Sequence, residues 1–503
     1  MAIRMSGMVS GLDTDAIVKE LMSAQSMKKT NLEGQKEKLQ WKKDMWGEMN
    51  TKLYSLYTDK VSSMRLLGSY LTKKATSSDE TKVKATANNA IAGSYSISVE
   101  KLASSEYVTG ASIKENGYTK KTLLSETGMA SGQTITIKTG KELDNVTDIT
   151  IDSDTTIQDL ISRFKDAGLN ANFDEASGRF YIAAKGTGEE NRFTVESNAV
   201  AGEGLEKLGL GNITEDMAKN GVSASSSNEM AIVAASDASI TLNGAKITSN
   251  SNTIQANGLT LDLIGTTNSD GIKLTVSNNS EAVYDKIKDF IKGYNELMTE
   301  MYEKYNAPSA KGYSMLTSEQ KEAMTDDQVK LWEDKIKDSL LRRDDTLNSL
   351  MSAFRSAMQT TVEVDGQKYS LSSFGIVTGN YKENGLLHIE GDADDADFLD
   401  KNNTLKSALE SDPDTVAKVL SGVMDKLYDT MSKKMSTSSL SSALTFYNDK
   451  QMKTQSDSYE KQIKNWETKL KDIEDKYYKQ FSAMEKAMAN LQTQQSQLAG
   501  MFG

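Results

Sequence analysis

Few residues in this 503-residue chain are suited to catalysis, since it has one histidine and no cysteine. The histidine, His388, stands in Gly385-Leu-Leu-His-Ile-Glu390, a segment typical of a half-buried strand. A Ser-His-Asp triad would have to use this side chain, and no Gly-x-Ser-x-Gly elbow stands near a plausible strand-to-helix turn. A zinc site with the usual nitrogen and sulfur ligands cannot be built from one histidine. We therefore expect His388 to be a facing residue of its sheet and not a catalytic base.

The densest group of carboxylates follows this strand and consists of Asp392, Asp394, Asp395, Asp397 and Asp400. In a calcium loop beginning at Asp392, Asp397 would stand where glycine is required and Asn403 where glutamate is required. We expect a solvated acidic turn, with weak cation binding as the alternative. Gly202-Glu-Gly204 lacks the third glycine of a dinucleotide fingerprint, and there is no Gly-Lys-Ser or Gly-Lys-Thr phosphate loop. The sequence thus predicts no enzyme and no cofactor or metal.

The C-terminal stretch from about Lys450 to Gly503 has the periodicity of one long helix that faces a partner. Its apolar residues recur at alternating steps of three and four, with an extra residue after Tyr477 that is typical of a stutter. The predicted seam consists of Ile463, Trp466, Leu470, Ile473, Tyr477, Phe481, Met484, Met488 and Leu491. A helix of this length cannot bury its own apolar stripe, so it needs a partner.

A second seam near the N-terminus offers that partner. Asp13 can cap this helix, because its carboxylate can accept from free amides of the first turn. Gln35 and Lys42 stand where apolar residues would be expected. The seam consists of Leu32, Leu39, Trp46 and Leu53, with Met49 and Leu56 three residues after the last two. We expect the two ends of the chain to pair, while two separate surface helices or a coiled coil with another chain remain alternatives.

Between these helices, alternating apolar residues among Thr, Ser, Asn and Gly predict strands. The predicted fold class is α+β multidomain, with terminal helices forming a coiled-coil or helical-bundle leg and β-rich domains inserted in the middle of the chain. The predicted domains are a leg of residues 1–45 and 450–503, a helical-bundle domain with a small β element of residues 46–75 and 281–449, a β-rich head domain of residues 76–130 and 231–280, and an inserted small α+β head domain of residues 131–230.

Composition limits the partners and the location. A formal net charge of -12 would repel a phosphate backbone, so we expect no nucleic-acid binding. No segment approaches about twenty consecutive apolar residues, so we expect no membrane insertion. The N-terminus lacks an apolar run long enough for a secretory signal. These features leave the cytoplasm, or export by a machine that reads a different signal.

Several motifs follow one another along the chain. They are Ser10–Val18, Gly93–Ala103, Thr155–Val195, Leu242-Asn-Gly244 with Ile254–Gly265, Phe290–Asn295, and Phe374–Ile376 with Leu405–Gly422. In these motifs and in their order, the chain resembles the flagellar filament cap proteins, the flagellar hook-associated protein 2 (FliD) family, over essentially its full length. The segment Thr155–Val195 is similar to the repeat found inside flagellins and cap proteins.

The resemblance implies a non-enzymatic, extracellular protein at the tip of the flagellum, exported by the flagellar type III pathway without a cleavable signal peptide. It implies a ring-shaped homo-oligomer, commonly a pentamer, whose helical legs reach into the filament end and under whose plate flagellin is inserted. Implied partners are flagellin, hook-filament junction proteins and an export chaperone at the C-terminal helix. The alternatives are an adhesin that binds host glycans or mucus through the middle domains and, more remotely, a secreted carbohydrate-active enzyme, which needs two carboxylates across a cleft.

Overall fold

The structure, a computed structural model, describes residues 11–200, 202–226, 228–268, 270–379 and 383–502. Ser10 of the first motif, and residues 1–10 and Gly503 of the predicted leg, lie outside this part of the chain. The helices are α1 (Thr14–Ser55), α2 (Ser62–Met64), α3 (Ile157–Asp166), α4 (Glu215–Asn220), α5 (Ser280–Tyr305), α6 (Ser318–Glu322), α7 (Asp326–Asp338), α8 (Asp345–Met358), α9 (Thr404–Ser411), α10 (Pro413–Lys434) and α11 (Asp449–Phe502).

Short strands fill much of the chain between α2 and α5, and two small hairpins follow α8. The strands are β1 (Lys73–Ser77), β2 (Val83–Ala87), β3 (Gly93–Lys101), β4 (Tyr107–Thr109), β5 (Thr134–Thr139), β6 (Asn145–Thr150), β7 (Leu169–Asp174), β8 (Arg179–Ala184), β9 (Phe193–Ser197), β10 (Ala231–Val233), β11 (Ala238–Leu242), β12 (Ala245–Ser249), β13 (Thr253–Ala256), β14 (Leu259–Leu263), β15 (Ile272–Asn278), β16 (Val362–Val364), β17 (Gln367–Tyr369), β18 (Ile376–Thr378) and β19 (Leu387–Ile389).

The chain forms two compact units. The β unit is Thr72–Asn279, and the helical unit is the chain before Thr72 together with the chain from Ser280 onward. Terminal helices and β-rich middle domains are thus both present, which confirms the predicted α+β fold class. No helix among the described residues is both long and apolar enough to cross a membrane.

The helical unit has one core, formed by the C-terminal end of α1 with α5, α8 and α10. Phe290 and Tyr294 on α5 and Phe354 on α8 are among its largest buried side chains. Between α1 and α2 the helix widens into a π-turn over Leu56–Val61. Because this turn has more residues than an α-helical turn, it lets both Leu56 and Val61 face the core.

The β unit has two cores. The first lies between the sheet β1-β15-β3-β11-β12 and the sheet β13-β14-β2. The second lies among the sheets β10-β4-β8-β7 and β6-β5-β9 with α3, and we call this part the inserted module. Its core includes Val108, Leu124 and Met129, which precede the predicted boundary at residue 131. The division of the whole chain into four domains stays a prediction.

The inserted module shows how local sequence fixes one element. Thr156 and Asp159 form the reciprocal capping box that starts α3, and Gly168 follows its end in the left-handed region at φ 91°. The apolar face of α3 consists of Ile157, Leu160, Ile161 and Phe164, which are all buried. The local sequence therefore specifies the start, the end and the buried face of this helix.

Candidate functional site: the terminal helix pair

The two long terminal helices pack against each other within one chain. Near the start of α1, the hydroxyl of Tyr478 donates to Oδ1 of Asp15 at 2.9 Å. Further along, Lys29 lies 3.3 Å from Glu467 and Lys36 lies 3.6 Å from Glu460. A step of seven forward on α1 thus matches a step of seven backward on α11, so the helices are antiparallel. The predicted pairing of the chain ends is confirmed.

Local chemistry starts and supports this pair. The Asp13 carboxylate accepts from the amide of Ala16 at 3.0 Å, as the sequence predicts for the cap of α1. Burial lowers the pKa of Lys29, but hydrogen bonds to Glu33 and Glu467 outweigh it and raise that pKa overall. The ion pairs between the helices are largely exposed, so each stabilises the pair by about 1 kcal/mol or less.

Trp466 on α11 has one lysine from each helix of the pair near its ring. The ammonium of Lys28 on α1 lies 5.4 Å from its ring centroid, and that of Lys469 on α11 lies at 4.6 Å. Both distances suit a cation-π contact. Sequence periodicity identified Trp466 but missed the lysines, the ion pairs and Tyr478. Aligning α11 backward along α1 would have found them, because opposite charges then face each other.

The predicted seam on α11 is only partly covered. Leu470 is its one buried member, at 9% exposure. Leu491 is exposed, at 63%. The half-buried members are Ile463, Trp466, Ile473, Tyr477, Phe481, Met484 and Met488. Leu498 stands one heptad after Leu491, on nearly the same side of the helix, and is also exposed. The apolar stripe therefore loses its cover toward the C-terminal end of α11.

The predicted seam on α1 divides into two parts. Leu32 and Leu39 are half-buried along the helix pair. Trp46 and Leu53 lie instead in the core of the helical unit, where Trp46 stacks on Tyr447 with ring centroids 5.6 Å apart. The same seven-residue spacing thus serves two kinds of packing. That these seam residues contact a partner remains a prediction.

His388 lies on β19 and is half-buried. Its Nδ1 lies 2.6 Å from Oδ2 of Asp395, and its Nε2 lies 2.8 Å from Oε2 of Glu383. The imidazole stacks on the ring of Phe398, with centroids 4.4 Å apart. These contacts tie β19 to the acidic segment that follows, which is a structural arrangement.

The acidic segment is not uniformly solvated, so this expectation is wrong in part. Asp394 and Asp397 are exposed, but Asp392 is buried and lies 2.5 Å from Nζ of Lys288. Burial opposes the charge on Lys288, but hydrogen bonds to Asp392 and Asp394 outweigh it and raise its pKa. The lysine on α5 is what allows a carboxylate to be buried here. No group of acidic and histidine side chains among the described residues is arranged to hold a metal ion.

Fold and site together define a class of protein whose chain ends form a helical pair and whose β domains are inserted between them. The family model described as flagellar hook-associated protein 2 C-terminus matches residues 235–493, and that described as its N-terminus matches residues 10–106. The chain belongs to the flagellar hook-associated protein 2 family. The resemblance drawn from sequence motifs is confirmed.

Known relatives agree with this assignment. Flagellar hook-associated protein 2 of Halalkalibacterium halodurans is 27% identical, over 99% of this chain and 100% of that protein. The same-named protein of Escherichia coli K12 is 25% identical, over 77% of this chain and 75% of that protein. The D1-D2-D3 crystal structure of the Escherichia coli flagellar cap protein FliD shares the fold, with a TM-score of 0.50 and 22% identity over 80% of this chain and 97% of that one. These relatives give no support to the adhesin or the carbohydrate-active enzyme.

Proposed function

We propose that this protein caps the distal end of the bacterial flagellar filament. In this proposal it forms a ring-shaped homo-oligomer that retains exported flagellin and promotes its insertion into the growing filament. Its partners are further copies of itself, flagellin, hook-filament junction proteins and an export chaperone at the C-terminal helix. It acts outside the cell, after export without a cleavable signal peptide.

The observation that carries the proposal is the uncovered apolar stripe at the end of α11. Leu491 and Leu498 are 63% and 56% exposed on a helix whose other predicted seam residues are buried or half-buried. Exposed apolar residues in a row on one helix face are typical of a surface that another protein covers. A filament end built of helices would supply such a surface.

The arrangement also suits a subunit that binds the filament through one region and performs its function through another. The terminal helix pair consists of α1 and α11, whereas the β unit has its own two cores. The helix pair can therefore make its contacts without disturbing the packing of the β domains. In the proposed cap, the helix pair is the leg and the β unit contributes to the plate.

The test is a motility assay with filament imaging in cells that lack the gene. One strain receives the full chain and another receives the chain stopped before Lys450. We expect the truncated chain to give short or missing filaments and monomeric flagellin in the medium. Most core residues of the helical unit precede the stop, so a thermal melt of the purified truncated protein controls for folding. Normal filaments from a folded truncated chain would contradict the role of α11 as an anchor.

A further inference from the structure

The segment between α5 and α8 forms a closed loop on the helical unit. We call residues 306–344 the bracket. The two ends of the bracket meet, because the amide of Arg343 donates to the carbonyl of Tyr305 at 2.9 Å. The Arg343 guanidinium also lies 5.0 Å from the centroid of the Tyr305 ring. Leu341, just before this point, is fully buried in the core of the helical unit. The two ends of the bracket are therefore held in place on the helical unit.

The bracket has its own internal order. Thr317 caps α6 and Thr325 caps α7, each in a reciprocal capping box. The indole Nε1 of Trp332 donates to the carbonyl of Ser314 at 2.8 Å, and its ring meets that of Tyr313 edge-on at 4.7 Å. These contacts join the turn before α6 to α7. The loop is thus held in one shape by its own side chains.

One face of α1 is shaped to receive the bracket. A Cβ placed on Gly34 would lie 2.9 Å from the Cβ of Met315, which is closer than packed carbon atoms approach. Glycine lowers the stability of a helix interior, but at Gly34 a larger side chain would collide with Met315. Gly34 is therefore the seat of the bracket, the point at which Met315 packs against the backbone of α1.

Two further contacts lie along the same face of α1. Lys321 on α6 lies 3.7 Å from Glu37, and Nζ of Lys337 on α7 lies 4.6 Å from the ring centroid of Trp41. Gly34, Glu37 and Trp41 follow each other at steps of three and four, which places them on one side of the helix. The contact with α1 is therefore continuous over about two helical turns.

The base of the bracket explains why Lys42 interrupts the apolar seam. Its ammonium lies 2.7 Å from the carboxylate of Asp344, whose side chain is mostly buried. Asp344 also accepts from the amides of Thr346 and Leu347 and so caps α8. A single carboxylate thus joins α1 to the first turn of a core helix.

The bracket and α11 contact α1 on opposite sides. Lys36, whose ion pair goes to Glu460 of α11, follows Gly34 by two residues, and two residues turn about 200° around an α-helix. Lys29 and Lys36 thus face α11, whereas Gly34 and Trp41 face the bracket. Before Gly34, Lys29 and Asp15 of α1 contact Glu467 and Tyr478 of α11.

We propose that the bracket holds the terminal helix pair in place where this pair leaves the helical unit. It does so by packing Met315 against Gly34 and by contacting α1 as far as Lys42. Without it, α1 would be held over these residues by α11 alone, through half-buried side chains and exposed ion pairs that stabilise little. The bracket sets the point at which the helix pair leaves the helical unit. That this support serves filament capping rests on the proposed function.

The test is amide hydrogen exchange on the purified full chain with Gly34→Leu, and with Gly47→Leu as the matched control. Both glycines lie inside α1, but a Cβ on Gly47 would meet nothing within 4 Å. We expect Gly34→Leu to speed exchange in α7 at least about tenfold, because local opening reports lost packing, while Gly47→Leu leaves α7 unchanged. Met315→Ala, which removes the contact without altering α1, should speed exchange in α7 in the same direction.

Unchanged exchange in α7 with Gly34→Leu, or equal acceleration with both glycine variants, would overturn the proposal. Met315→Ala keeps the test decisive if Gly34→Leu fails to fold, since Met315 is only half-buried and lies outside the main core. Unchanged exchange in α7 with Met315→Ala would then contradict the proposed packing of Met315 against Gly34. The exchange measurement does not depend on capping, so a failure of the bracket proposal is distinguishable from normal filaments in the truncation assay.

Discussion

The inserted module and the terminal helix pair bury their apolar residues to very different degrees. The ten-residue helix α3 buries its whole apolar stripe, with Phe164 at 0% exposure, because β7 and its neighbours cover it. Among its predicted seam residues, the 54-residue helix α11 buries only Leu470, which is still 9% exposed. The module therefore buries its apolar residues within this chain, whereas α11 leaves apolar residues exposed toward its C-terminal end.

The largest expected effect separates the two regions by stability. Phe164→Ala should lower the free energy of unfolding of the inserted module by about 3 to 5 kcal/mol, because it leaves a cavity in a closed core. Phe481→Ala on α11, where the ring is half-buried, should cost the helix pair only about 1 kcal/mol. All tryptophans of the chain lie in the helical unit. Amide exchange in β7 and β8 therefore follows the module, and tryptophan fluorescence follows the helical unit. Equal losses of unfolding free energy in Phe164→Ala and Phe481→Ala would contradict the predicted difference between the module and the helix pair.

A second prediction concerns a buried carboxyl group in the module. Glu106 is fully buried, its Oε2 accepts from the amide of Phe193 at 2.8 Å, and its Oε1 has no hydrogen-bond partner among the described residues. Burial raises the pKa of Glu106 from 4.5 to about 8, although the Phe193 amide and the nearby Arg192 act in the opposite direction. Between these two pH values the folded module holds a proton that the unfolded chain has lost.

The stability of the module should therefore fall as pH rises from about 4.5 to about 8. Glu106→Gln removes this titration, so its advantage over the parent chain should grow with pH and reach a few kcal/mol near pH 8. The measurement is amide exchange in β7 and β8 at pH 5 and pH 8, corrected for the intrinsic exchange rates. A parallel pH dependence in parent and variant would show that Glu106 ionises normally in the fold.

Sequence predicted those parts of the fold whose signals are local. The Asp13 cap of α1 depends on neighbouring residues, and the α11 helix follows from the periodicity of one continuous segment. Strand β4, by contrast, has three residues and exists because β8 and β10 pair with it, so it has no local signal. The burial of Glu106 was equally hidden, since a charged residue is normally expected at the surface.

The candidate site shows the same division. Periodicity found the α11 seam, but it assigned Trp46 and Leu53 the same role as Leu32, because one heptad spacing serves both the helix pair and the core. The bracket was missed because its contacts with α1 depend on Gly34, which carries no side chain to signal a surface. Contacts of this kind are set by which elements meet in space, and the sequence does not state that.

The smallest expected effect on stability makes the sharpest test of the comparison. Leu491→Ser should change the free energy of unfolding by less than about 0.5 kcal/mol, because exposed positions contribute little. Leu331→Ser is the matched control, since Leu331 on α7 is 67% exposed. If the end of α11 is completed by the filament, Leu491→Ser should shorten filaments and Leu331→Ser should not, as electron microscopy of complemented cells would show. Normal filaments with Leu491→Ser would mean that this end of the stripe contacts nothing that matters for growth. The docking surface would then have to lie nearer Trp466, where α1 already covers part of the seam.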